Sequence, residues 1–189
     1  MENFILYVSR IEPRKNQQML INAYRELGLG KQGIPLVFIG NDTLNSHKIV
    51  AKIQQLQQDY PKLVYWFSGL SDADVLAFYR AARLFVYPST GEGFGIPPIE
   101  AAATGLPTLC SNVTAMRDFD FFGEAAFSPF DLEELKAKIQ VFLETPPSKK
   151  ELLNIKKIIK SRYSWDYGAS LIHRLIGIKK MEKRWRKHS

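Results

Sequence analysis

Four short runs of this sequence are apolar without interruption, and each gives way to a segment with helical spacing. Residues 4–8 (Phe-Ile-Leu-Tyr-Val), 35–39 (Pro-Leu-Val-Phe-Ile), 64–67 (Val-Tyr-Trp-Phe) and 84–87 (Leu-Phe-Val-Tyr) are too short for helices and lack the alternation of a half-wet strand. Such runs suit strands buried on both faces, the condition of a parallel sheet whose crossover helices cover it from both sides. Helices are predicted over about 13–27, opened by Pro13, over about 46–60, and over about 71–82, capped by Ser71 with Val75, Leu76, Phe78 and Tyr79 at helical spacing. A short helix over about 97–104 leads to a fifth strand at 107–110 and a weak sixth at 125–127. Further helices are predicted from about Asp131, Ser148 and Ser164. The expected fold is α/β: a single Rossmann-like doubly wound domain of about six parallel strands with helices on both faces. Its core would occupy about 4–145, with C-terminal helices at about 148–188 appended.

At 189 residues, 46% of them apolar, the chain suffices for one well-buried domain. Its apolar runs are far too short to span a bilayer. The first strand begins at residue 4, which leaves no room for a signal or transit peptide. Cys110 is the only cysteine and stands in an apolar run, so a core position and a reducing, cytoplasmic setting are expected. Charge is divided unevenly: residues 149–189 hold 13 Lys/Arg against 3 Asp/Glu, while residues 1–148 hold 13 against 16. The basicity therefore belongs to the C-terminal helical segment. A solvated helix accounts for it, and so does a helix resting on anionic lipid at the inner face of a membrane or on an acidic partner. No recognition motif surrounds it, so nucleic acid is not an expected partner.

In a doubly wound sheet ligands bind beyond the C-terminal strand ends. Arg10, Gly40, Gly69 and Gly91 all follow strands and fall on that edge. Arg14 and Lys15 sit in the predicted first turn behind Pro13, where cations oppose the helix dipole. Either they form a solvated patch beside Glu12 or they face a bound anion. The second group is the string Gly91-Glu92-Gly93-Phe94-Gly95-Ile96-Pro97-Pro98-Ile99-Glu100, followed by Ala101-Ala102-Ala103-Thr104-Gly105-Leu106-Pro107. Its glycines let backbone amides approach a phosphate or sugar, and the prolines suit a helix start. Glu92 lies in the turn, and Glu100 is expected in about the first turn of the helix. Two carboxylates that accept hydroxyl protons beside amides that bind anions suit a ligand that is part sugar and part phosphate. A tight turn with a capping glutamate is the alternative.

These residues resemble the C-terminal, donor-binding domain of group 1 retaining glycosyltransferases with the GT-B fold. The resemblance rests on Ser9-Arg10 with Lys15-Asn16, Phe67-Ser68-Gly69, Tyr87-Pro88-Ser89, the glutamates Glu92 and Glu100 eight residues apart, and Gly105-Leu106-Pro107. Phe130-Asp131 and Tyr163-Ser164-Trp165 add to it, and it covers about residues 4–170. It implies that the ligand is a UDP-, GDP- or ADP-linked sugar and that no cofactor or metal is required. Arg10 and Lys15 would neutralise the diphosphate, and Glu100 would hold the ribose. Glu92, with Gly93 and the amides of Phe94, Gly95 and Ile96, would hold the sugar. The base would lie near Gly40 and Ser68, Gly69 and Leu70. Catalytic roles would fall to Glu92, Arg10 and Lys15. The resemblance also implies an acceptor-binding N-terminal domain beyond this chain, so that the chain alone would be weakly active or inactive. Where the family often has a Pro-Glu pair this chain has Ala115-Met116-Arg117-Asp118.

Other readings are a GT-B-type sugar-nucleotide epimerase or phosphorylase, or a non-catalytic module contacting a partner through its basic helices. The combination of Arg10, Lys15, Glu92 and Glu100 speaks against a scaffold, which needs none of them. Asp72-Ala73-Asp74 resembles a metal-binding pair, but Ser71 before it predicts a capped helix start. His47, His173 and His188 lack metal-ligand spacing.

Overall fold

The computed structural model describes residues 3–163. The predicted helix start at Ser164 and the basic stretch beyond it lie outside the described residues. The six strands are β1 (Ile5–Val8), β2 (Leu36–Ile39), β3 (Val64–Phe67), β4 (Leu84–Tyr87), β5 (Thr108–Ser111) and β6 (Ala126–Phe127). They form one sheet in the order β3-β2-β1-β4-β5-β6, every pair parallel. Three of the four apolar runs have the cause proposed for them: β2 and β4 are buried at every position and β1 at all but Val8, whereas β3, at the sheet edge, is buried only at Val64. Side chains on both faces of β1, β2 and β4 are covered, so alternation has no place in their sequence.

The helices are α1 (Gln17–Glu26), α2 (His47–Asp59), α3 (Asp72–Ala81), α4 (Ile96–Thr104), α5 (Leu132–Glu144) and α6 (Lys149–Arg162). α1 packs against α2 and α5, and α4 packs against α3 and α6, which places three helices on each face of the sheet. Ser71 accepts a hydrogen bond from the Asp74 amide, and Asp74 accepts one from the Ser71 amide, so the acidic pair begins α3 as a capping box. Ser148 and Glu151 do the same for α6. Cys110 is 1% exposed in the core, and burial pushes its thiol well above the ordinary range.

Two local expectations are corrected. Residues 13–27 are not one helix: Pro13–Lys15 form a 3-10 turn, Asn16 takes a left-handed conformation (φ 54°), and α1 starts at Gln17. Asparagine tolerates that conformation, and here its side chain also donates to the Pro129 carbonyl at 3.0 Å. The break turns Lys15 into the sheet edge instead of setting it on a helix. Glu100 is likewise not in a first turn; it is the fifth residue of α4, and that helix has no acid in its first turn.

The order of strands reverses between β1 and β4, the two central neighbours, whose chains then leave in opposite directions. A crevice opens at that point beyond the strand ends. The loops after β1 and β4 are its two lips, and most of the residues considered below stand on them.

Candidate functional site

The switch point is lined by polar side chains rooted in the core. Tyr7 at the third position of β1 and Tyr87 at the last of β4 stack with centroids 6.1 Å apart, and both are fully buried. Burial pushes both phenols far above their ordinary range, so each hydroxyl keeps its proton at neutral pH. Gln17, the first residue of α1, is also fully buried and donates to the Tyr7 hydroxyl at 3.0 Å and to the Arg10 carbonyl at 2.8 Å.

Glu92 and Lys15 meet above this layer. The Lys15 Nζ lies 2.6 Å from Glu92 Oε1, and each side chain is only 8% exposed. Lys15 also donates to the Tyr87 hydroxyl at 3.0 Å, while that hydroxyl donates to Glu92 Oε1 at 2.8 Å. Ser89, fully buried, donates to the same oxygen at 2.7 Å. Burial alone would raise the Glu92 carboxyl, but the hydrogen bonds from Lys15, Ser89 and Tyr87 outweigh it and hold the group below its ordinary value. Glu92 is therefore an ionised acceptor at neutral pH.

The glycine-rich loop is held from both sides. Arg14 donates to the Gly91 carbonyl at 2.8 Å and reaches Glu92 Oε2 at 3.3 Å, with Glu12 at 2.8 Å behind it. The Arg14 carbonyl accepts from the Thr90 amide, and the Glu92 amide donates to the Thr114 hydroxyl at 3.0 Å. Among the described residues the Phe94 and Gly95 amides have no hydrogen-bond partner. Pro97 and Pro98 carry no N–H, so the anion-binding capacity of this helix start rests on residues 94–96 and not on the first turn as a whole. Gly95 itself is left-handed (φ 93°), and a Cβ there would meet Met116 at 2.9 Å.

The remaining predicted residues spread along the same edge. Arg10 lies two residues past β1, with an exposed side chain that makes no ion pair among the described residues. Gly40 follows β2 at φ 147°, and its α-carbon approaches the Ser9 carbonyl so closely that a Cβ would lie 1.9 Å from it. Its carbonyl accepts from Trp66 Nε1 at 2.8 Å. Ser68, Gly69 and Leu70 follow β3, and the Gly69 amide donates to Asn41 at 3.1 Å, which ties this loop to the one after β2.

Glu100 stands apart from Glu92. It lines a separate groove between α3 and α4 with Asp72, Tyr79, Arg80 and Lys156. There it accepts from the Tyr79 hydroxyl at 3.2 Å. Burial first, and then Glu100, push the Tyr79 phenol far up, so the hydroxyl is a fixed donor to that carboxylate. The structure thus joins Lys15, Glu92 and the glycine loop in one cluster, leaves Arg10 without an ion pair among the described residues, and sets Glu100 in a separate groove.

Sequence reasoning left Tyr87, Ser89 and Thr114 out of the site. Tyr87-Pro88-Ser89 carried a usable signal: a phenol and a hydroxyl at a strand's C-terminal end, just before a carboxylate. Thr114 carried none, since its loop reaches Glu92 only through the fold. Among the described residues no group of His, Cys, Asp or Glu is arranged to hold a metal ion, and no helix is long and apolar enough to cross a membrane.

An all-parallel sheet in this order, with a polar crevice at its switch point, defines the chain as one Rossmann-like domain of the kind paired in GT-B proteins. The chain belongs to the family described as glycosyl transferases group 1, which matches residues 1–187. It is 33% identical over 178 residues to the serotype-specific mannosyltransferase WbdA of Escherichia coli, covering 90% of this chain and 21% of that protein. It is 29% identical over 167 residues to the O-antigen chain mannosyltransferase B of Escherichia coli, covering 87% of this chain and 43% of that protein. The fold is shared with the crystal structure of Anabaena HepE in complex with UDP, with TM-score 0.77 and 21% identity over 93% of this chain and 49% of that one. The chain thus spans less than half the length of each of these proteins.

Proposed function

We propose that this chain supplies the donor site of a retaining glycosyltransferase, binding a nucleoside-diphosphate sugar in the crevice between β1 and β4. The observation that carries this reading is the convergence, at one switch point, of an ionised Glu92, the free amides of Phe94 and Gly95, and the cations Arg14 and Lys15, with Arg10 exposed two residues past β1 on the same edge. A carboxylate there accepts sugar hydroxyls, while amides and cations take the diphosphate and the charge that develops on the leaving nucleotide. Membership of the group 1 family supports transfer of a glycosyl group. Mannose is the first sugar to test, because the two relatives above are mannosyltransferases. Bound UDP in a protein of this fold makes UDP one of three bases to try, with GDP and ADP.

The assigned roles are Glu92 for the sugar, Arg10 and Lys15 for the diphosphate, Glu100 for the ribose, and the loops at Gly40 and residues 68–70 for the base. The acceptor would be bound by a second, facing domain in a longer polypeptide or a separate chain. The chain alone then binds donor weakly and transfers little, because water enters an open half-site. Calorimetric titration with UDP, GDP and ADP and their hexose conjugates tests the reading. Binding of at least one is expected, and no binding of any at millimolar concentration overturns it.

A second element of the reading concerns α6. Lys149, Lys150, Lys156, Lys157 and Lys160 are exposed on it, and Leu153 among them is 57% exposed. An exposed apolar side chain ringed by lysines suits the surface of an anionic membrane, which would place a cytoplasmic enzyme at the inner leaflet. Sedimentation with vesicles containing phosphatidylglycerol should fall when Lys150, Lys157 and Lys160 are changed to Glu. Equal sedimentation of the two proteins removes this element.

A further inference from the structure

We infer that Tyr87 and Ser89 are positioning residues that decide which oxygen of Glu92 faces the ligand. This rests on the reading that Glu92 meets the donor sugar. Three donors converge on Oε1: Lys15 Nζ at 2.6 Å, Ser89 Oγ at 2.7 Å and Tyr87 Oη at 2.8 Å. One carboxylate oxygen offers about two lone-pair directions, so three short donors saturate it. Among the described residues Oε2 has a single polar partner, the long 3.3 Å approach of Arg14. The Arg14 side chain is 52% exposed and is held more closely by Glu12 and the Gly91 carbonyl, both at 2.8 Å. Oε2 is therefore the oxygen left for a ligand, and as part of an ionised carboxylate it can only accept. The group it meets must be a donor, such as a sugar hydroxyl.

The donors to Oε1 are rigid in different degrees. Lys15 sits on a flexible stem, whereas Tyr87 ends β4, Ser89 follows it by two residues, and both are fully buried. The Tyr87 ring is clamped between Tyr7 and Phe85, with centroids 6.1 and 6.0 Å away. The single proton of the Ser89 hydroxyl goes to Oε1, the shortest of its contacts, while its oxygen accepts from the Gly91 amide at 3.4 Å. The Tyr87 hydroxyl has a further effect. It accepts from Lys15 while donating to Glu92, so two of the three ammonium protons are committed inside the cluster and one remains for an anion. Deleting that hydroxyl frees both partners to rotate, and either Glu92 oxygen can then turn toward the crevice.

The test uses the full chain and two variants, Tyr87→Phe and Ser89→Ala. Affinities for a bare nucleoside diphosphate and for its hexose conjugate are measured by calorimetry, and the Glu92 side-chain carboxyl is followed by 13C NMR across pH. Each variant is expected to lose at least tenfold more affinity for the conjugate than for the bare nucleotide. Each should also raise the titration midpoint of the Glu92 carboxyl, a change that loss of packing alone does not produce. Equal losses for the two ligands, or an unmoved midpoint in both variants, overturn the inference. A parent chain that binds the bare nucleotide and gains nothing from the sugar overturns it too, while leaving the nucleotide site standing. A parent chain that binds no nucleotide overturns the donor reading, and this inference with it. If one variant fails to fold, the other decides, because each removes a different donor to Oε1.

Discussion

Lys15 and Glu92 are separated by 77 residues in sequence and by 2.6 Å in space, and their contact closes the seam between the two halves of the sheet. Lys15 belongs to the turn after β1 and Glu92 to the loop after β4, the strands between which the winding reverses. Each charge is removed from water and is tolerated because the other, with Tyr87 and Ser89, replaces the lost hydration. The pair therefore has two consequences: it holds the lips of the crevice together, and it leaves Arg10 as the less encumbered cation.

Breaking the pair from one side should be costly. Lys15→Met retains the stem and removes the charge, leaving a buried carboxylate with weaker compensation; a loss of about 3–5 kcal/mol is expected. Adding Glu92→Gln to Lys15→Met should restore a large part of that loss. Urea unfolding of the two single variants and the double variant gives the coupling energy. A coupling near zero would mean that the contact contributes nothing to stability.

Acid should weaken the fold through the same residue. The folded-state value of Glu92 is held below the ordinary one, so its contribution to stability is present above the unfolded value, about 4.3 for glutamate. It is lost as pH falls through the lower, folded value. Thermal unfolding between pH 7 and pH 3 should therefore show a steeper decline below about pH 4.5 in the parent than in Glu92→Gln. Parallel curves for the two proteins would mean that other carboxylates carry the acid sensitivity.

The course of the chain could be read from the sequence because burial on both strand faces leaves an unmistakable mark. The runs at 4–8, 35–39 and 84–87 became the inner strands β1, β2 and β4, while the run at 64–67 became β3 at the edge, where only Val64 is buried. Much of the candidate site was legible for a related reason: in a doubly wound fold, whatever follows a strand lies on one edge, so Arg10, Gly40, Gly69 and Gly91 could be gathered without coordinates. What could not be read was set by backbone detail. The left-handed Asn16 splits a segment whose apolar spacing looks helical throughout, and that break turns Lys15 inward. The position of Glu100 depends on α4 starting at Ile96, one residue before Pro97, where the sequence pattern sets its start. Thr114 reaches the Glu92 amide across a loop contact that no local pattern encodes.

The glycines of the edge should separate sharply on substitution. Gly40→Ala places a Cβ 1.9 Å from the Ser9 carbonyl at φ 147°, and backbone must move to admit it. A loss of about 3 kcal/mol or more is expected, with the loops after β1 and β2 displaced. Gly91→Ala meets nothing within 4 Å and has no left-handed φ, so its effect on stability should stay within about 0.5 kcal/mol. Denaturation midpoints of the two variants measure the contrast. A Gly40→Ala protein as stable as the parent would show that the Ser9 carbonyl is free to give way.

The separation of Arg10 from Glu100 allows the nucleotide to be dissected by affinity. Arg10 has an exposed side chain in the loop after β1, so Arg10→Ala should weaken nucleoside diphosphates by about 10- to 100-fold, the value of a charge-assisted contact. It should leave the bare nucleoside nearly unchanged, and the difference should shrink as salt is raised. Glu100 is held by Tyr79 in the α3–α4 groove, and Glu100→Gln should weaken nucleoside and diphosphate by the same factor, about tenfold, because the ribose is common to both. Tyr79→Phe should follow Glu100→Gln in kind and fall short of it in size, since it loosens the carboxylate without removing it. Titration of the three variants with adenosine, uridine and guanosine and with the matching diphosphates checks all of this. A Glu100→Gln protein that loses diphosphate affinity and keeps nucleoside affinity would place Glu100 at the phosphates instead, and the groove between α3 and α4 would then have to be read as the path of the leaving group.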